Sequence, residues 1–127
     1  MGWYPKGVAQ DAAISIGTEA TDAITVTIQL KDAGGANLEQ IGHVHAYLSD
    51  AATGVAISGT APATSVAAGT NGKIVKELTT KLAWWLQSSA AGVINLVITE
   101  SGAATWYLVV VLPDGRQVVS SAITFAA

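Results

Sequence analysis

The sequence predicts an all-β domain, a sandwich or small barrel of about seven to nine short antiparallel strands. Three observations carry this expectation. Apolar residues recur with a period of two in several separate windows. Turn-forming residues such as Gly34-Gly35, Asn71-Gly72, Ser101-Gly102 and Pro113-Asp114-Gly115 punctuate those windows. The one window that could be read as a helix, 76–88, contains Thr79-Thr80 and Trp84-Trp85, residue types that favour strands.

Residues 1–12 read as an extended N-terminal arm, and 13–127 as the β-sandwich domain. In the arm, Trp3 and Tyr4 precede Pro5, and Gly7 follows, a combination that opposes both helix and central strand. Two large aromatics left in water are costly. They either fold back on their own domain or, with Val8, anchor the arm on a neighbouring subunit.

The first strand runs from Ile24. Ile24, Val26, Ile28 and Leu30 point one way, and Thr25, Thr27 and Gln29 the other. After the glycine turn, a strand near 41–49 turns Val44, Ala46 and Leu48 inward and His43, His45 and Tyr47 outward. Residues 50–72 are mostly Ala, Gly, Ser and Thr. Long structureless loops are uncommon in compact domains, so short edge strands are expected at 55–57 and 64–66. Strands at 73–79 and 82–87 follow the Asn71-Gly72 turn.

In the last third, Ile94, Leu96 and Ile98 alternate with Asn95, Val97 and Thr99. Residues 106–112 are apolar on both faces, which marks a central strand or one whose outer face, Tyr107, Val109 and Val111, is covered by a partner. Leu112-Pro113-Asp114-Gly115 makes a tight hairpin. The chain returns over 118–125 with Val119, Ile123 and Phe125 inward.

At 127 residues the chain fits one domain with a real core. It has no cysteine, so disulfides and thiolate metal sites are excluded. A net charge of −3 and scattered Lys and Arg give no basic patch for nucleic acid or for a membrane surface. The longest apolar runs, 82–86 and 106–112, are too short to span a bilayer as helices. The N-terminus lacks the apolar stretch of a signal peptide, so synthesis in the cytoplasm is expected. Half of the chain is nevertheless hydrophobic and only 12% is charged. That surplus points to contact with other protein, and so to a structural subunit rather than an enzyme.

The chemistry-bearing residues are few. His43 and His45 share a strand face, so both imidazoles could reach one metal. A third ligand, Glu39 or Asp50, would have to be brought close; polar residues on a solvated face is the simpler reading. The nine acids are scattered, mostly in turns, and form no acid–base pair. Asp32 and Asp50 follow strands but lack the oxygen-rich repeat of a calcium loop. No serine sits in Gly-x-Ser-x-Gly. Trp84, Trp85 and Trp106 could stack on sugars, but core packing plus subunit contact is preferred. Trp84 and Trp85 are adjacent, so they point to opposite faces and at most one is core.

The run Ile24–Asp32, the glycine turn and Val44–Asp50 resemble the opening strands of bacterial immunoglobulin-like domains. Gly92–Glu100 followed by Thr105–Arg116 is similar to small β-sandwich proteins of tailed-bacteriophage virions. The resemblance covers roughly residues 22–126. It implies an Ig-like sandwich and a virion structural protein, with no catalytic residue, cofactor or metal. The expected role is a head decoration (cement) protein on the capsid exterior, a homo-oligomer with a trimer favoured, bound to the major capsid protein or other virion subunits. A phage-tail Ig-like module, or a carbohydrate- or cell-surface-binding module using exposed tryptophans, is the alternative. The candidate contact residues are Trp3, Tyr4, Val8, Trp84 or Trp85, Tyr107, Val109 and Val111.

Overall fold

The period-two windows become strands with one buried face each. A computed structural model of the chain describes residues 8–126. It contains ten strands: β1 (Asp11–Ile16), β2 (Ala23–Lys31), β3 (His43–Ser49), β4 (Ser65–Ala68), β5 (Lys73–Thr79), β6 (Ala83–Gln87), β7 (Val93–Thr99), β8 (Ala104–Val111), β9 (Gln117–Val119) and β10 (Ile123–Phe125). They form two antiparallel sheets. The smaller has the order β1-β2-β7-β4; the larger has the order β10-β8-β3-β6-β5, with β9 also on β8.

The smaller sheet repeats the A-B-E-D neighbours of an immunoglobulin-type sandwich, and β9/β10-β8-β3 repeats G-F-C. The middle of the chain departs from that scheme. It visits β4 in the smaller sheet first, then adds β5 and β6 to the larger one.

The inner faces interlock as the alternation requires. Ile24, Val26, Ile28 and Leu30 of β2 and Ile94, Leu96 and Ile98 of β7 are buried against Val44, Ala46 and Leu48 of β3 and Trp106, Leu108 and Val110 of β8. Among the described residues Trp84, Trp106 and Phe125 are the largest fully buried side chains. Trp106 meets Phe125 edge-on at 5.9 Å between ring centroids, and its indole N–H donates to the Thr60 carbonyl at 2.9 Å.

Three local outcomes differ from the sequence reading. First, the sandwich starts earlier. β1 pairs with β2 from Asp11↔Lys31 to Ile16↔Val26, so a boundary at residue 12 falls inside a strand. Ala9 is already buried in the core. The signal was only Ala12, Ile14 and Ile16 alternating over a short, small-sided stretch.

Second, 55–57 is not a strand. Val55 is 79% exposed, and residues 50–58 fold back as a loop. The Ser58 N–H donates to the Leu48 carbonyl at 2.7 Å, and the Ser58 hydroxyl donates to Asp50 at 2.7 Å. These two bonds fasten the end of the loop to the end of β3. The other expected edge strand is present as β4.

Third, the last strand is broken by a bulge. The Ser120 N–H donates to the Leu108 carbonyl, and its hydroxyl oxygen accepts from the Leu108 N–H at 2.9 Å. Val119 pairs with Val109 before the bulge, and Ile123 with Trp106 after it. The extra residue flips the facing. Val118, not Val119, packs toward the core, while Ile123 and Phe125 face inward.

Candidate functional site

Residues paired across an antiparallel ladder share a face. On the outer face of the larger sheet the pairing therefore makes rows. One row reads Lys76, Trp85, His45, Val111 and Gln117. On one side of it lie Lys73, Gln87 and His43; on the other lie Thr79, Ala83, Tyr47, Val109 and Val119.

The two flanks of this face are treated differently. Over the Tyr47–Val109–Val119 row the 50–58 loop closes down. The Tyr47 hydroxyl donates to the Gly54 carbonyl, and Gly54 sits against Val109 and Val119. Val109 is 0% exposed. As a contact residue it is corrected: the chain's own loop covers it, and it offers nothing to a partner.

The other flank stays open. His43, Val44, His45, Trp85, Val111, Leu112, Pro113 and Gly115 line a shallow groove of about 420 Å³. Trp85 is 41% exposed there. Both histidine rings lie 6.0 Å from the Trp85 ring, His45 edge-on at 85° and His43 tilted at 57°. His43 Nε2 is 3.1 Å from Gln87 Oε1. Pro113 and Gly115 belong to the β8–β9 turn. The Leu112 N–H donates to the Arg116 carbonyl there, and Gly115 takes the positive φ of 92° that the turn requires.

The other contact candidates divide as follows. Trp84 is corrected: it points inward from β6 and is 0% exposed, a core residue only. Tyr107 and Val111 are half-buried on the outer face of β8. Val8 is 39% exposed where the described chain begins. Trp3 and Tyr4 lie outside the described residues.

The acids serve the backbone. Asp32 Oδ1 accepts from the N–H groups of Gly34 and Ala36, which closes the glycine turn after β2. Asp50 accepts from Ser58. Glu100 accepts from the Gly102 N–H at 2.9 Å and the Ala63 N–H at 2.8 Å. Those two bonds, Gly102 first, hold its carboxyl below the ordinary value, against the opposing effect of burial. Among the described residues no three His, Asp or Glu side chains gather as a metal site, so neither Glu39 nor Asp50 joins the histidines.

Pro113, which lines the groove, and Gln87, which meets His43 at its edge, are residues that the sequence reading passed over. Gln87 had a usable signal, since it lies two residues from Trp85 and so on the same face. Pro113 had none, because its place depends on how the turn folds toward β3. No protein-family model, curated protein or solved structure matches this chain.

Proposed function

We propose that this chain is a structural virion protein, a head decoration (cement) protein that self-associates and binds the outside of a phage capsid. The observation that carries the reading is the open half of the outer sheet face. A half-exposed indole, Trp85, stands there beside the apolar side of Val111 and Pro113, on a rigid strand rather than a loop. An exposed aromatic anchor beside apolar side chains, with polar groups at its margin, is the composition of an interface centre. Such contact is worth about 25 cal/mol per Å² of apolar area before the costs of association. Many identical copies on a shell add avidity.

Light scattering coupled to size exclusion tests the self-association, and co-sedimentation with capsid shells tests the docking. The expected outcome is an oligomer, with Trp85→Ser reducing its mass and its retention on shells. A monomer at micromolar concentration that does not bind shells would overturn the reading.

One observation favours a second reading. Trp85 presents an open aromatic ring flanked by imidazole and amide groups, the materials of a sugar-stacking surface. A shift of tryptophan emission on adding bacterial polysaccharide, lost in Trp85→Ser, would select it.

A further inference from the structure

We propose that His43 and His45 chelate one borderline divalent metal ion, Ni²⁺, Cu²⁺ or Zn²⁺, in the groove beside Trp85. This goes beyond the docking role and does not depend on it.

Two residues apart on β3, the histidines project from the same face. They line one groove of about 420 Å³, which leaves room for water in the remaining coordination positions. Both rings lie 6.0 Å from the same indole, so the three side chains share one patch of the sheet face.

Gln87 supplies the second observation. Its carbonyl oxygen is 3.1 Å from His43 Nε2. With that oxygen as acceptor, Nε2 carries the proton and Nδ1 keeps its lone pair. A carbonyl behind the N–H of an imidazole is the support that fixes the tautomer and orientation of metal-binding histidines.

The donor set selects the ion. Neutral imidazole suits Ni²⁺, Cu²⁺ and Zn²⁺. Ca²⁺ and Mg²⁺ require oxygen ligands, and among the described residues no carboxylate lines this groove. Lys76 is the cation of the same row, and Trp85 stands between it and His45.

Equilibrium dialysis of the full chain against NiCl₂, with tryptophan quenching by CuCl₂, tests the site. The expected result is one ion per chain. His43→Ala and His45→Ala should each weaken binding about tenfold or more, and Gln87→Leu about tenfold. Both histidines are exposed, so circular dichroism should show these variants folded. Trp85→Phe should keep Ni²⁺ binding and lose most of the Cu²⁺ quenching. Wild-type affinity in either histidine variant would mean single-imidazole, adventitious binding and would overturn the proposal. Undiminished quenching in Trp85→Phe would place the ion elsewhere, with the same consequence.

Discussion

The phenol of Tyr47 donates to the carbonyl of Gly54, and that bond closes the 50–58 loop over Val109. Gln117 Nε2 steadies the same hydroxyl oxygen from β9 at 3.2 Å. An apolar strand face that reads in sequence as needing a partner is thus half covered by the chain itself. The part left exposed among the described residues is the Trp85 side.

Gly54 should be the more sensitive end of this contact. It has a φ of 68°, and an added Cβ would lie 2.8 Å from Val109 Cγ2 and 3.0 Å from Val119 Cγ2. Gly54→Ala is expected to cost about 1–3 kcal/mol through backbone strain and overpacking. Tyr47→Phe removes one hydrogen bond and should cost about 1 kcal/mol. Urea unfolding midpoints measure both. A Gly54→Ala chain as stable as the wild type would show that the loop does not rest on Val109.

The tryptophans should separate by face. Trp84→Ala and Trp106→Ala empty the core and should each cost about 3–5 kcal/mol. Trp85→Ala, at the surface, should change stability by no more than about 0.5 kcal/mol. The phenylalanine variants discriminate further. Trp106 Nε1 donates to Thr60, while the buried Trp84 Nε1 has no partner among the described residues. Trp106→Phe leaves the Thr60 carbonyl only the Ser58 hydroxyl, which Asp50 also competes for, whereas Trp84→Phe removes an N–H without a partner among the described residues. Trp84→Phe should therefore be the milder change in a denaturant titration. The reverse order would mean that Trp84 Nε1 is satisfied.

Asn95 should behave as a core residue although it is polar. Its Oδ1 accepts from the Asn71 N–H at 3.0 Å and from Asn71 Nδ2 at 2.9 Å, and its Nδ2 donates to Thr27 Oγ1 at 2.9 Å. It thereby ties the 69–72 turn to the outer face of β7. Asn95→Ala is expected to lose about 2 kcal/mol, because the Asn71 donors lose their acceptor. Hydrogen exchange at the Asn71 amide should accelerate with it. Unchanged protection there would show that the turn is held by its own backbone.

What was legible in the sequence follows from where the information sits. The β2, β3 and β7 faces could be read because Ile24–Leu30, Val44–Leu48 and Ile94–Ile98 alternate over enough residues to fix both type and facing. The opposed facing of Trp84 and Trp85 followed from adjacency alone. β1 was not legible, since only Ile14 and Ile16 are strongly apolar in that stretch, too short an alternation to fix a strand before β2 pairs with it. Val119 faced the wrong way because the bulge at Ser120 depends on a tertiary bond to Leu108. Covering Val109 with 50–58 depends on Tyr47 meeting Gly54, a contact that no local pattern encodes. Of the groove, both histidines were visible as outward residues, and one of Trp84 and Trp85 had to be, although adjacency did not say which. Their convergence required the pairing of β3 with β6.

Glu100 should give the fold part of its acid sensitivity. Its carboxylate joins the Ala63 and Gly102 backbones, and these bonds favour the charged form. Its folded pKa lies below the ordinary 4.5, with the Lys81 charge assisting. A group with a depressed folded pKa stabilises the fold fully above its unfolded value, and that contribution is lost as pH falls through the folded one. The window therefore lies below about pH 4.5. Asp114 is likewise held low by the Arg116 N–H and guanidinium, but it is common to both chains compared. Glu100→Gln should be less stable than the wild type at neutral pH, since its amide nitrogen would face a backbone N–H. The difference should shrink steadily as the pH is lowered through that window, because protonation removes the same charge from the wild type. Thermal unfolding of both chains across the acid range measures it. A gap that stays constant would show that the carboxylate acts by shape and not by charge.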